Sequence, residues 1–341
     1  MYFLNPKIWK FKFQKLAYTW QALKAYSKIW QDIQKQKSAN PDKQFIGILL
    51  AEHLGDIVAA TPILKELKAK YPSAHISWIV KPAYACLLDN NPFLDQIIKE
   101  KNLLTSIWLT KKNPFDHLYN LHLNQLRYDN FYKIWLENPQ ADNLGLTYKN
   151  YLNKYTLLEM FSRLAGLALK EEAPKLYPSL QKKQIEHEYW IIHRKSNSDE
   201  KDWKDEKWMD LLPKIWEKFD VQIVEIGTEN GLEIKDKRFI SLVGKSDLPI
   251  SMQWIQHASF YIGVDSGPAH IANAFEIPGF IICGKYKNFE EYMVYSGAYL
   301  KQDIATVFFK DGKVPAEHTV DEIFKNIEKT YLKSQVEMLE Q

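Results

Sequence analysis

From position 7 to 36, apolar residues recur at helical spacing. Trp9, Leu16, Leu23 and Trp30 fall seven apart, with Phe13, Trp20 and Ser27 between them, and lysines and glutamines fill much of the opposite face. The pattern predicts one long amphipathic helix, closed by the linker signal Ser38-Ala39-Asn40-Pro41-Asp42. The period then changes. Phe45–Leu50 is a short continuous apolar run, Ala51–Gly55 a loop, and Asp56–Tyr71 a helix with Ile57, Ala60, Leu64, Leu67 and Tyr71 on one face. Ile76–Val80 is a second buried run. Strand, helix, strand at this spacing predicts a parallel sheet. Weaker strands are predicted near Gln96–Ile98 and His117–Leu121, a helical aromatic-rich stretch over Asn124–Leu136, a helix over 150–167 and a linker at Pro174–Pro178.

The alternation then repeats. Tyr189–His193, Val221–Ile226, Phe239–Val243, Phe260–Val264 and Gly279–Cys283 read as strands, most of them ending at a glycine or a turn. Asp205–Phe219 reads as a helix burying Trp208, Leu211, Leu212, Ile215 and Phe219; further helices begin near Ser266 and span Val320–Tyr331. At 341 residues the chain exceeds what one core usually organises. The expected organisation is α/β: residues 1–44 as basic helix and linker, 45–175 and 176–341 as two domains. Ligands in such open sheets bind at the carboxyl ends of the strands.

Composition changes this picture in three places. Cys86 and Cys283 are the only cysteines and match no metal or redox spacing, which suits a reducing compartment. No apolar run approaches the ~20 residues of a membrane span, and the N-terminus lacks the apolar core and cleavage site of a signal peptide. The net charge of +3 conceals an asymmetry. Eight lysines and one aspartate between Met1 and Lys37 carry +7, which leaves the rest of the chain at −4. The basic segment fits an anionic membrane surface; the alternative is that its stripe packs on the protein's own body or on a second copy. Nothing in the remaining charge points to nucleic acid.

Four constellations carry candidate chemistry. His53-Leu54-Gly55-Asp56 joins the first strand to the first helix. Gly55 permits a close backbone approach, and Asp56 is either a general base for an attacking hydroxyl or a helix cap. Gly263-Val264-Asp265-Ser266-Gly267-Pro268-Ala269-His270 spans another strand-to-helix junction. Ser266 suits an N-cap and Pro268 the first turn. The free N–H groups there suit a diphosphate, while His270 is either a ligand donor or a structural histidine between domains. Lys201 in Lys201-Asp202-Trp203 is a candidate counter-charge for a leaving diphosphate, or a solvated lysine. Gly227-Thr228-Glu229 offers a carboxylate for ribose hydroxyls, with Glu233 an equal candidate. Phosphate-binding P-loops, G-x-G-x-x-G turns, metal-ligand spacings and G-x-S-x-G elbows are absent from the sequence.

Together these motifs resemble glycosyltransferase family 9, the lipopolysaccharide heptosyltransferase family. The resemblance runs through Leu54-Gly55-Asp56-Ile57-Val58, Thr61-Pro62, Leu67, Tyr71-Pro72, Trp78-Ile79-Val80 and Asn91-Pro92. It continues through Lys201-x-Trp203, Leu242-Val243-Gly244-Lys245, Gly263–Ala272, Ile277-Pro278 and Cys283-Gly284. It implies a GT-B fold, two Rossmann-like domains facing a central cleft. It also implies an inverting transfer of a sugar, in this family heptose from ADP-heptose, onto a lipid-A-linked inner core at the cytoplasmic face of the inner membrane. In that scheme Asp56 is the base; Lys201 and the Ser266–Gly267 amides stabilise the diphosphate. Asp265, His270, Gly227, Glu229 and Gly244 shape the donor site, His53 and Gly55 belong to the acceptor-side loop, and no metal or other cofactor is required. The chain departs from the family pattern at His193-Arg194-Lys195-Ser196, where many members have a small glycine-containing turn, and at Lys285–Phe289. A nucleotide-sugar epimerase of the same architecture, or a non-catalytic assembly protein keeping the fold, are the alternatives.

Overall fold

The computed structural model describes residues 6–179, 185–310 and 312–339. The first half opens with helix α1 (Pro6–Ala39) and continues through β1 (Phe45–Leu49), α2 (Leu54–Ala60), α3 (Pro62–Lys70), β2 (His75–Val80), β3 (Gln96–Lys99), α4 (Leu103–Lys111) and β4 (His117–Asn120). A hairpin, β5 (Gln125–Tyr128) and β6 (Lys133–Leu136), precedes α5 (Pro139–Asn143), α6 (Tyr151–Lys154) and α7 (Leu157–Leu164). The sheet is parallel in the order β3-β2-β1-β4, with Ile46 opposite both Ile76 and His117. Every residue of β1 is buried, as a strand covered on both faces must be. Ile46 and Ile48 face a core built with Ile57, Val58, Ile63 and Leu64 of α2 and α3. Phe45 and Leu49 face the other way, onto Ile33 of α1 and Leu109 of α4.

The second half comprises β7 (Tyr189–His193), α8 (Asp205–Lys218), β8 (Gln222–Glu225), β9 (Phe239–Ser241), α9 (Leu248–Gln256), β10 (Phe260–Val264), α10 (Gly267–Ala274), β11 (Gly279–Ile282), α11 (Ala298–Lys301), β12 (Ala305–Phe308) and α12 (Val320–Leu339). Its six parallel strands run β12-β11-β10-β7-β8-β9. Numbered within the half, that order is 6-5-4-1-2-3, the doubly wound Rossmann arrangement. The order reverses between β7 and β10, as it does between β1 and β4 in the first sheet. The loops after these strands therefore stand where such folds bind ligands.

Four sequence expectations change. The N-terminal helix forms, but the stripe through Trp9, Phe13, Leu16, Trp20 and Leu23 does not pack on the body: all five are exposed. The docked face carries Ala22 and Ile33, fully buried, with Tyr26 and Ile29. Two apolar faces share one helix, and the heptad spacing picked out the exposed one. The stretch 124–136 is not helical. Asp129 accepts from the N–H groups of Phe131 (2.8 Å) and Tyr132 (2.9 Å), closing a tight turn. Its arms alternate accordingly, Leu126 and Tyr128 outward and Arg127 inward. The helix expected over 56–71 divides at Thr61, because Pro62 has no N–H with which to continue the ladder of α2. The helix expected over 150–167 also divides, with Thr156 accepting from the Glu159 N–H (3.2 Å) at the start of α7.

Candidate active site

The two halves meet by the first turns of α2 and α10. The meeting is close enough to dictate glycine on both sides. A Cβ at Gly55 would lie 2.7 Å from Cδ2 of His270, and one at Gly267 would lie 2.6 Å from Cδ2 of Leu54. His270 is buried and packs on the Tyr295 ring (4.6 Å between centroids), so it has little room to retreat. Replacing Gly55 by valine is expected to cost about 1–3 kcal/mol of stability through overpacking and to hold the halves apart. Urea denaturation read by tryptophan fluorescence checks the first effect, and donor titration the second.

Asp56 stands in this meeting as the third residue of α2. The cap role and the base role are both geometrically open to it, since one carboxylate oxygen accepts from the His53 N–H (3.2 Å). Its surroundings differ from those of a surface cap. Burial pushes the Asp56 carboxyl above the ordinary aspartate value; the His53 hydrogen bond and the charges of His53 and Lys201 oppose this, and the Asp265 carboxylate adds to it. Asp56 on the first half therefore feels the cluster on the second. His53 itself is exposed at the rim.

That cluster centres on Asp265, at the end of β10. Its carboxylate takes Lys201 Nζ (3.0 Å) and the Tyr292 hydroxyl (3.1 Å) on Oδ2, and the Tyr295 hydroxyl (3.3 Å) on Oδ1. Burial pushes Asp265 up, but the Lys201 ammonium and these hydrogen bonds prevail and hold it below the usual range. Lys201 is likewise drawn down by burial and carried above its ordinary value by Asp265. It is not the solvated lysine of the alternative reading: its side chain is only 15 % exposed. The Tyr286 ring lies 5.1 Å from its Nζ.

Ser266 occupies the N-cap position of α10, yet its hydroxyl makes no cap bond. It contacts Nδ1 of His193 (2.9 Å) and donates to the Val264 carbonyl (3.1 Å). Among the described residues no N-cap side chain therefore accepts from the first N–H groups of α10, which stand at the end of the helix dipole, a place suited to a phosphate. His193 and His270 are both lowered to about 4, chiefly by burial, and are neutral at pH 7. Nδ1 of His270 is buried without a hydrogen-bond partner. A buried polar atom is rarely left so.

The remaining donor-side candidates separate. Gly227 and Gly244 are joined, the Gly244 N–H donating to the Gly227 carbonyl (3.1 Å). Glu229 and Glu233 are exposed on the loop after β8. The carboxylate that stands at the strand end is Glu225, one position the sequence reading missed. It is buried, bound to Arg194 Nε (2.6 Å), the Leu232 N–H (3.0 Å) and the Ser241 hydroxyl (2.9 Å). Arg194 in turn holds Asp205 (2.5 Å) and the Asn230 carbonyl (2.5 Å). The departure from the family pattern at 193–196 therefore supplies an internal brace for the loop carrying Glu229.

On the first half, Glu52 is gripped by Lys81 and Arg127, and Nε2 of His122 accepts from the Ala51 N–H (3.2 Å). His122 is lowered to about 3 by burial, with Arg127 adding to it. Glu52, His53, Asp56, Arg127, Tyr148 and Tyr151 line a cavity of about 50 Å³, and a second of about 140 Å³ lies beyond Glu52 and His122. Glu100 in the second is raised to about 7 by burial. No spacing in the sequence links Glu52, Lys81, His122 and Arg127; they come from four different elements. Among the described residues no group of three or more His, Cys, Asp and Glu is placed to hold a metal ion.

Comparison with known proteins follows this geometry. The model of glycosyltransferase family 9 (heptosyltransferase) matches residues 134–285, which include Lys201 and the whole Asp265–His270 motif. The chain is 21 % identical over 267 residues to lipopolysaccharide heptosyltransferase 3 of Escherichia coli K12, covering 66 % of this chain and 78 % of that one. Among solved structures, it resembles the glycosyl transferase family 9 protein of Veillonella parvula (TM-score 0.61, 18 % identity, 86 % of this chain and 98 % of that one). It also resembles the iron-containing dodecameric glycosyltransferase TibC of enterotoxigenic E. coli H10407 (TM-score 0.56, 16 % identity, 86 % and 73 %). The fold is GT-B.

Proposed function

We propose that this chain, which carries a glycosyltransferase family 9 domain, is an inverting glycosyltransferase that takes heptose from ADP-heptose and adds it to a lipid-linked core saccharide without a metal. The observation that carries the reading is the opposition across one cleft: a carboxylate of raised basicity at Asp56, and Lys201 with the open N-terminus of α10 facing it. In the reaction an acceptor hydroxyl attacks the anomeric carbon. Asp56 takes the hydroxyl proton, the bond from that carbon to the diphosphate oxygen breaks, and the electron pair leaves with ADP. The developing charge falls on Lys201 and the α10 amides, fixed donors of the kind that stabilise a transition state without reorganising. Lys201 then exchanges part of its contact with Asp265 for phosphate, while Tyr292 and Tyr295 keep Asp265 in place. The positive potential a metal would otherwise supply comes from these groups.

Small-molecule pockets run from about 300 Å³ upward, and the cavity at Asp56 is about 50 Å³. This cavity, lined entirely by the first half, therefore widens for an acceptor to reach Asp56. A direct test incubates the protein with ADP-heptose and a heptose-free lipid-linked core saccharide, in the presence of EDTA, and follows ADP release and the mass of the glycolipid. Gain of one heptose with chelator present is expected. ADP-heptose left intact with a verified acceptor refutes the donor assignment, and activity restored only by added metal refutes the metal-free mechanism.

The acceptor's lipid anchor gives α1 a role, at the cytoplasmic face of a membrane. No helix among the described residues is long and apolar enough to cross a membrane. The exposed stripe of α1 instead suits the interface plane: Trp9, Phe13, Leu16 and Trp20 project outward, and residues 6–31 hold six lysines and no acid. Since Ile33 of the same helix seals the first sheet, removing residues 1–37 would strip part of the core. Substitution of the outer stripe is the clean probe of binding.

A further inference from the structure

We infer that His318 is a positioning residue for Lys201: it fastens together the two segments that flank the Lys201 ammonium and so holds that charge in place for a leaving diphosphate. The use made of the charge rests on the transferase reading; the fastening belongs to the fold. Lys201 closes a single 3₁₀ turn, Asp199–Lys201, in which its N–H donates to the Ser198 carbonyl (2.9 Å). One such turn is a weak hold on a half-buried charge. The residues that follow supply the rest. Asp202 accepts from the Ser196 N–H (2.7 Å). Trp203 is fully buried and donates its indole N–H to the His318 carbonyl (3.0 Å), 115 positions further along the chain. Lys207 of α8 donates to the same carbonyl (2.7 Å) and to that of Ala316 (2.8 Å). The tryptophan of Lys201-x-Trp203 is thus an anchor set into the segment before α12, two residues from the lysine.

The imidazole of His318 holds the other segment. It is fully buried, and its Nε2 donates to the Cys283 carbonyl (2.8 Å) just past β11. The ring stands edge-on to Phe308 (5.1 Å between centroids). A carbonyl can only accept, which fixes the ring proton on Nε2. Burial holds the imidazole below its ordinary pKa, against the opposing pull of the Cys283 bond and of Glu322, so it is neutral at pH 7. Glu322 lies 3.9 Å from Nδ1 and is itself paired with Lys310.

Beyond Cys283 the chain is pressed onto the same segment. A Cβ at Gly284 would lie 2.6 Å from both the Lys313 carbonyl oxygen and the Pro315 nitrogen, and the Lys285 N–H donates to the Lys313 carbonyl (2.7 Å). Tyr286 comes next, with its ring 5.1 Å from Lys201 Nζ. Residues 313–318 therefore grip both the segment that carries Lys201 and the one that carries its aromatic neighbour. His318 bonds to both, through its carbonyl toward Trp203 and its imidazole toward Cys283. Any residue supplies the carbonyl. The donor at Nε2 is particular to this side chain, so substitution can isolate it.

The test compares His318→Asn, His318→Gln and Trp203→Phe in the full chain, with circular dichroism and Tm as checks on folding. Asparagine carries its amide where Nδ1 stands and falls short of Cys283. Glutamine is long enough to place a donor where Nε2 stands. Phenylalanine keeps a ring in the anchor and removes its N–H. The first readout needs no substrate: labelling of Lys201 by acetic anhydride, followed by mass spectrometry of proteolytic peptides. A Lys201 loosened from Asp265 is expected to label about tenfold faster in His318→Asn and Trp203→Phe, the gain in free amine for one pKa unit. His318→Gln is expected to label near the unmodified rate. The second readout is transfer from ADP-heptose. In His318→Asn, kcat is expected to fall about 10²-fold, the effect of a misplacement near 1 Å, with KM for the acceptor unchanged. On the Lys201→Met/Asp265→Asn background the same change is expected to cost little further rate, because a residue acting through Lys201 has nothing left to position. Unchanged labelling with unchanged kcat overturns the inference. So does a full further loss on that background, or a glutamine variant no better than asparagine. If His318→Asn does not fold, Trp203→Phe carries both readouts. An unmodified chain that transfers nothing from ADP-heptose sinks the transferase reading, and the labelling of Lys201 then decides the positioning by itself.

Discussion

Changing Asp56 to asparagine is expected to lower kcat by about 10²–10⁴-fold, the usual contribution of a positioned general base, while leaving the fold intact or firmer. Asparagine keeps an oxygen for the His53 N–H, so a helix cap is preserved and a base is lost. The two readings of this residue separate on that one variant. The stability half of the prediction follows from the direction of the pKa shift. The folded Asp56 carboxyl is raised, mainly by burial, so folding favours its protonated form. Its contribution to stability is fully present below the unfolded pKa and is lost as pH rises through the folded one. At neutral pH the ionised group burdens the fold, and the neutral amide relieves that burden. Tm at pH 7.5 equal to or above that of the unmodified chain is expected, with ADP release from donor plus acceptor nearly gone. Transfer retained, with Tm unchanged, would remove the base and leave Asp56 as a cap. In the unmodified enzyme, kcat/KM should rise with pH through the raised Asp56 pKa, because only the carboxylate accepts a proton.

Lys201→Met is expected to damage both chemistry and stability. Loss of a fixed charge stabiliser typically costs ~10²–10³ in kcat. The same change strands the Asp265 carboxylate, buried among tyrosines, and breaking a buried pair from one side costs about 3–5 kcal/mol. The double variant Lys201→Met/Asp265→Asn should recover much of the stability and none of the transfer, which assigns the two losses to different causes. Urea midpoints and single-turnover rates on the four proteins of the cycle measure this. The pH dependence has a defined sign. Asp265 is lowered in the fold, so its stabilisation is present above the unfolded pKa and lost as pH falls through the folded value. Lys201 is raised, so its share is present below the unfolded lysine pKa and lost as pH climbs through the folded value. The pair supports the protein across the neutral range, and the acid-side loss should flatten in the double variant. A single variant as stable as the unmodified chain would show that Tyr292 and Tyr295 suffice to hold Asp265.

Much of the fold lay open in local periodicity. Continuous apolar runs such as Phe45–Leu49 and Phe260–Val264 mark strands covered on both faces, and each is followed by a turn and a helix whose buried positions repeat at helical spacing. Strand–helix junctions place ligand-facing residues next to one another in the chain. That is why Asp56, and Asp265 with Ser266 and His270, could be singled out from sequence. The hairpin was misread for the converse reason. Its turn depends on one aspartate accepting two N–H groups, and its arms, at four residues each, are too short for alternation to stand out against helical spacing. The stripe of α1 shows a further limit. A helix with two apolar faces gives one periodic signal, and only the body it meets decides that Ala22 and Ile33 dock while Trp9, Phe13, Leu16, Trp20 and Leu23 remain outside.

By itself, then, the sequence determined the strand–helix alternation, the long N-terminal helix and the residues at the two principal junctions, because each depends on neighbours within a few turns of chain. Tertiary structure decided what those residues do to one another. Asp56 is raised by burial in a cleft with walls 200 residues apart in the chain. Lys201 is drawn to Asp265 across 64 positions, and Glu52 gathers Lys81 and Arg127 from separate elements. Glu225, not Glu229, takes the strand end because Arg194 is there to hold it. Desolvation and charge pairing act through space, and packing sets the distances over which they act.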